Sequence, residues 1–104
     1  MLEVRIEWDE AKRRKNLRDH GLDFADAQAV FQGFTASIED ARRDYGERRY
    51  LTFGLLQGRV VVIAHTERGK AIRVISMRKA VKHEQRSYFA QLPDGFFSPG
   101  RHEG

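Results

Sequence analysis

Apolar and polar positions alternate with a period of two from Leu2 to Trp8, the pattern of a strand with one buried face. Asp9 then offers a carboxylate to the unpaired amides of a helix over 10–20, and Gly21 supplies its left-handed stop. That helix is poorly apolar. Ala11 and Leu17 form its expected buried stripe, while Lys12, Arg13, Arg14, Lys15 and Arg18 face water. After Asp23, the residues Phe24, Ala27, Val30, Phe31 and Phe34 recur at spacings of three and four, which predicts a second helix packed on the core and ended near Gly33. A short strand over 35–38 precedes the polar stretch 39–47, which contains Gly46 and is the expected mobile loop.

Alternation resumes over 49–56. Gln57-Gly58 makes a two-residue turn into a strand over 59–66, and Arg68-Gly69 makes another into a strand over 70–78. In that register Phe53 opposes Val62 and Val62 opposes Ile75. One face then collects Leu51, Phe53, Leu55, Val60, Val62, Ala64, Ile75 and Met77 as the core. Tyr50, Thr52, Val61, Ile63, His65, Ile72, Val74, Ser76 and Arg78 share the other face, with room for a helix over its apolar centre. Residues 79–91 predict an amphipathic helix with a basic side, stopped by Pro93. The order β-α-α-β-β-β-β-α describes an α+β fold, an antiparallel β-sheet packed by helices. Residues 1–92 are expected to form one domain and 93–104 a flexible tail, with Phe96 and Phe97 free to dock on a neighbour.

The 104 residues, 40% of them hydrophobic, suit one small core. The net charge of +4 is unevenly spread: residues 59–86 hold eight Lys/Arg against two acids, 8 − 2 = +6. Such a surplus suits phosphate backbones or an acidic protein partner, against the plainer reading of a soluble basic surface. Without cysteine there is neither a disulfide framework nor a thiolate metal site, as in a reducing compartment. Charges at Glu3, Arg5 and Glu7 stand where a signal peptide needs an apolar run, and no segment reaches membrane-spanning length, so a cytoplasmic location is expected, with no membrane partner.

There is no glycine-rich phosphate loop, no His-Glu-x-x-His and no serine elbow, and His20, His65, His83 and His102 lack ligand spacing, so no metal or cofactor is expected. The remaining groups are those that cleave RNA without a metal: bases and acids for the 2′-hydroxyl and 5′-oxygen protons, and cations for the phosphorane. His65 and Glu67 are candidate proton-transfer groups. Arg78 and Lys79 are candidates for holding the phosphate, because cations beside a helix N-terminus oppose its dipole and need another reason to be there. Lys12, His20, Arg68, Arg73, Ser76, Lys82 and Arg86 form a second tier of RNA contacts. Plainer readings stand beside them. His65 also fits an imidazole hydrogen-bonded at a strand end, His20 fits satisfaction of last-turn carbonyls, and Arg73 fits an ion pair. His65 and Glu67 also stand at the opposite end of the hairpin from Arg78 and Lys79, so the hairpin alone does not gather the four.

In combination, Trp8-Asp9, Lys12, Asn16, His20-Gly21, Phe24, Ala27, Val30-Phe31, Gly46-Glu47-x-Arg49, Thr66-Glu67-Arg68-Gly69 and Ile72-Arg73-x-Ile75-Ser76-x-Arg78-Lys79-Ala80 resemble the BrnT-type toxins of bacterial type II toxin-antitoxin systems. The resemblance runs from Ile6 to about Tyr88. It implies a RelE-like fold, a ribonuclease that arrests translation by cleaving mRNA, and a BrnA-type antitoxin whose ribbon-helix-helix part binds operator DNA, so that the toxin meets DNA only through its partner. A homodimer within that complex is left open. It implies no complete catalytic set, because RelE-like toxins vary in their active residues. The rival is a non-catalytic basic module that docks an antitoxin or RNA.

Overall fold

The computed structural model describes residues 5–93. Leu2 and Val4 of the expected first strand, and the tail with Phe96 and Phe97, lie outside the described residues. In chain order the elements are β1 (Arg5–Glu7), α1 (Glu10–His20), a 3₁₀ turn (Phe24–Asp26), α2 (Ala27–Phe31), β2 (Ala36–Glu39), β3 (Tyr50–Leu56), β4 (Arg59–Arg68), β5 (Ala71–Lys79) and α3 (Lys82–Ala90). They make an α+β fold with one five-stranded sheet in the order β1-β5-β4-β3-β2. The sheet is mixed: β2 to β5 pair antiparallel, but β1 pairs parallel with β5. The chain crosses from β1 to the far edge through α1 and α2. The antiparallel meander then returns, and its last strand arrives running in the direction of β1.

Asp9 and Gly21 bound α1 as their chemistry dictates. The Asp9 carboxylate accepts from the Lys12 amide at 3.2 Å, and Gly21, at φ 71°, donates to the Leu17 carbonyl at 2.9 Å. The buried stripe of this helix differs from expectation. Leu17 is 41% exposed, and the one buried residue is Asn16. Its amide nitrogen donates to the carbonyls of Leu22 and Met77, both at 3.0 Å, and its oxygen accepts from the Met77 amide at 3.1 Å. Pairing with β1 covers β5 only over Ala71–Arg73. Past that point the Asn16 side chain does what a neighbouring strand would do, satisfying both backbone groups of Met77.

The first hairpin has the expected register, with Phe53 opposite Val62, turned through Gln57 and Gly58 at φ 52° and 82°. The second differs. Arg68 pairs with Ala71, so Gly69-Lys70 are the central turn residues, and Ile75 is the extra residue of a bulge between the Ala64–Ser76 and His65–Val74 pairs. Val62 therefore opposes Arg78 rather than Ile75, and Met77 opposes Ile63.

That bulge changes which residues share a face, and both faces are covered. On one, Val61, Ile63, Val74 and Met77 pack with Phe24, Ala27 and Val30. Here Gly54 is required by close approach: a Cβ at this position would lie 2.6 Å from Val30 Cγ1. On the other, Val60 and Val62 pack with Ala80 and Tyr88, flanked by Leu51, Phe53, Leu55 and Phe89. The single core face expected from the sequence is thus divided: Met77 belongs under the first helices and the Leu51–Phe53–Leu55 row under α3.

Candidate functional site

The side chains with the densest polar chemistry gather where α3 begins. Tyr88 anchors this helix through its ring and through a 2.8 Å hydrogen bond from its hydroxyl to the Phe34 carbonyl. The bulge at Ile75 sends Arg78 to the side of the sheet that α3 covers. There its two terminal nitrogens donate to the two carboxylate oxygens of Glu84 at 2.8 and 2.9 Å. Such a fork fixes the guanidinium plane as well as its position. One of these Glu84 oxygens also accepts from the Val81 amide at 2.9 Å, so a single carboxylate caps the helix and aims the arginine. Arg78 holds the Glu84 carboxyl down to about 2, and Glu84 raises the affinity of Arg78 for its proton, opposed in part by the nearby like charge of Arg42.

Arg42 arrives on the loop between β2 and β3, the segment expected to be mobile. Within and beside that segment several polar contacts form. Asp40 is buried and accepts from Arg42 Nε at 2.7 Å, Arg42 Nη2 at 2.8 Å and the Tyr45 hydroxyl at 3.1 Å, while its own amide donates to the Arg49 carbonyl at 2.8 Å. The Arg42 contacts hold the Asp40 carboxyl well below the usual carboxylate range. The Arg49 guanidinium lies 4.1 Å from the Tyr45 ring centre, a cation–π contact. Beside this loop runs a groove of about 290 Å³ between α3 and the β2–β3 edge, with Leu51, Phe53 and Tyr88 among its apolar walls and His83, Glu84 and Ser87 on its polar side. Glu84, on the groove wall, joins the Arg78 fork to this groove, and the Arg42 charge is felt at Arg78, so that two guanidiniums and the His83 imidazole make a set able to hold a phosphate and move a proton.

The structure scatters the residues singled out from the sequence. Arg78 is in this site. Lys79, its neighbour, lines a different hollow with Arg59 and Phe89. Lys12, His20 and Ser76 come together in a cleft of about 210 Å³ between α1 and β5. Arg73 sits 3.6 Å from Glu7, Glu67 and Arg68 are exposed at the far turn, and Lys82 and Arg86 lie on the outer side of α3.

His65 is only 4% exposed, in contact with Phe31 and stacked on Tyr50 at 5.7 Å. Its Nε2 is 2.7 Å from the Thr52 hydroxyl, which is 2.7 Å from the Ser37 hydroxyl. Its Nδ1 has no hydrogen-bond partner among the described residues. A proton on Nδ1 would be a buried orphan donor, so the neutral ring carries its hydrogen on Nε2. Burial pushes its pKa down to about 4. The ring is thus built into the packed face, away from the groove.

Asp40, Arg42, Tyr45 and Glu84 were not among the sequence candidates. Arg42, Tyr45 and Glu84 reach the site from elements other than the hairpin, and no spacing within one element marks them. Among the described residues no three His, Asp or Glu side chains cluster to hold a metal ion, and no helix is long and apolar enough to cross a membrane. No curated protein matches the chain significantly. A family model described as the ribonuclease toxin BrnT of type II toxin-antitoxin systems matches residues 8–84, a stretch that includes the loop bearing Arg42 and the Arg78–Glu84 pair.

Proposed function

The chain belongs to the BrnT family of ribonuclease toxins of type II toxin-antitoxin systems, and from that premise we propose a metal-independent endoribonuclease that cleaves mRNA at the α3 groove and so inhibits translation in the cytoplasm. The observation that carries the reading is the Arg78–Glu84 fork at 2.8 and 2.9 Å, with the Arg42 charge beside it. In this mechanism the substrate 2′-oxygen attacks the adjacent phosphorus, the P–O5′ bond breaks, and the product keeps a 2′,3′-cyclic phosphate. Arg78, with Arg42, stabilises the phosphorane charge. Glu84, held to about 2, is a poor base at neutral pH, so its part is to orient Arg78. His83 on the groove wall is the candidate for proton transfer, in place of the enclosed His65. A BrnA-type antitoxin that covers this arginine-bearing opening would silence the toxin, and its ribbon-helix-helix part would carry the complex to operator DNA.

The test is antitoxin-free protein incubated with labelled RNA in EDTA. Wild type should leave cyclic-phosphate ends, and Arg78→Ala should lower the rate by about 10²–10³-fold, the cost of losing a donor to a transition-state oxyanion. Arg78→Lys keeps the charge but not the fork and should fall between them. Equal cleavage by wild type and Arg78→Ala at matched folded concentration would refute the assignment.

A further inference from the structure

Helix α3 carries two unlike stripes. Glu84, Ser87, Tyr88 and Gln91 turn toward the groove, whereas Lys82, Gln85, Arg86 and Phe89, at i, i+3, i+4 and i+7, line the other side. The second stripe continues into the hollow of about 340 Å³ that holds Arg59 and Lys79, through the shared Gln85 and Phe89. Arg59, Lys79, Lys82 and Arg86 are all exposed, and none forms an ion pair among the described residues. On the groove side the contrast is plain, since Arg78 has Glu84 and Arg42 has Asp40. Four unneutralised cations along one strip repel one another and lower their energy by meeting a polyanion.

We infer that this strip is a second RNA-backbone site, which holds phosphates of the substrate beyond the scissile one. The inference rests on the ribonuclease reading above. Two observations favour RNA over an acidic protein segment. Half-buried Phe89 lies among the cations, the pairing of ring and charge on which single strands stack and track. Lys79 also adjoins Arg78 in the chain and lines the hollow with Gln85 and Phe89 of α3, so a strand leaving the Arg78 fork passes the start of α3 and enters the strip. Arg59, Lys79 and Lys82 lie within the family match at residues 8–84, and Arg86 and Phe89 lie past its end.

The experiment measures binding by the intact protein of nuclease-resistant 2′-O-methyl oligonucleotides of roughly 12 and roughly 3 nucleotides across a salt series, lengths that bracket the smaller single-strand site sizes. Lys82→Gln/Arg86→Gln should weaken the longer ligand at least about tenfold, reduce its log–log salt slope by about 1.4, or 0.7 per lost phosphate contact, and leave the shorter ligand unchanged. Unchanged affinity for the longer ligand overturns the inference. In that case weaker capture of the antitoxin by the same variant assigns the strip to the protein partner. Because binding is read without cleavage, a wild type that binds the longer ligand through the strip but cuts no RNA would fail the nuclease reading alone. A wild type that binds neither ligand removes the strip as an RNA site.

Discussion

Beneath α1 and α2, the sheet buries Val61, Ile63, Val74 and Met77 almost completely against Phe24, Ala27 and Val30; beneath α3 it buries Val60 and Val62 and then gives way to Arg73 and Arg78, each about a third exposed. The difference follows from lengths. A nine-residue helix spans about 14 Å, and a ten-residue strand about 33 Å, so α3 alone cannot roof its face. Two helices and a 3₁₀ turn, with Asn16 closing the edge of β5, cover the other. The packed face supplies rigidity, and the part-roofed face keeps a wall of strand open for arginines that the strands hold in place. One device serves both. The bulge at Ile75 puts Met77 into the packed core and its neighbour Arg78 onto the open face.

The sharpest way to break this contrast is to remove the same kind of polar residue from each side. Asn16→Leu keeps the approximate volume but leaves the Met77 amide and carbonyl buried without partners, and should cost about 3–5 kcal/mol of unfolding free energy. Arg73→Gln on the open face loses only a part-exposed pair with Glu7 and should cost no more than about 0.5 kcal/mol. Urea titration of both variants checks this. Comparable losses would mean that the two faces do not divide stability from function as argued.

Local chemistry was legible in the chain: the Asp9 and Gly21 boundaries, the Gln57-Gly58 turn and the register of Phe53 on Val62 all follow from neighbours in sequence. What was not legible depends on partners far along the chain. A bulge carries no residue signature, so the face of Met77 and Arg78 could not be read from alternation alone. Asn16 looks like one more polar position of a surface helix until β5 is laid beside it, and Glu84 looks like a solvated helix residue until Arg78 turns toward it. The family resemblance was carried partly by Asn16 and Arg78 as letters, and the structure supplies what each touches.

His65 gives the packed face a pH dependence that should stand apart from the open one. Its folded value of about 4 lies below the 6.5 of an unperturbed histidine. Between those values the unfolded chain binds a proton that the native ring does not, so stability is complete above about pH 6.5 and falls as pH drops toward 4. At pH 5 the loss should be about 2 kcal/mol relative to pH 7, from the 1.5 units between 6.5 and 5. Glu84, whose carboxyl is lowered to about 2, acts in a different window, losing its contribution as pH falls below the usual carboxylate range. Unfolding at pH 7 and pH 5 should therefore show the loss in wild type and not in His65→Gln. The same loss in the variant would mean that some other group carries it.

The smallest effect tests how far inward that protection runs. Ser37 is the exposed end of the hydroxyl chain, and Thr52 is its buried middle. Water can take the place of the Ser37 hydroxyl at the strand edge, so Ser37→Ala should cost only about 0.5–1 kcal/mol, the net worth of one ordinary hydrogen bond, and should leave the difference between pH 7 and pH 5 intact. Thr52→Val is the instructive partner. It removes the acceptor for Nε2–H and leaves both ring nitrogens buried without partners, so it should cost about 1–3 kcal/mol at pH 7, where the ring is neutral. If the two variants cost the same, the chain is wet along its whole length, and the packed face is more open at the His65 end than at Met77.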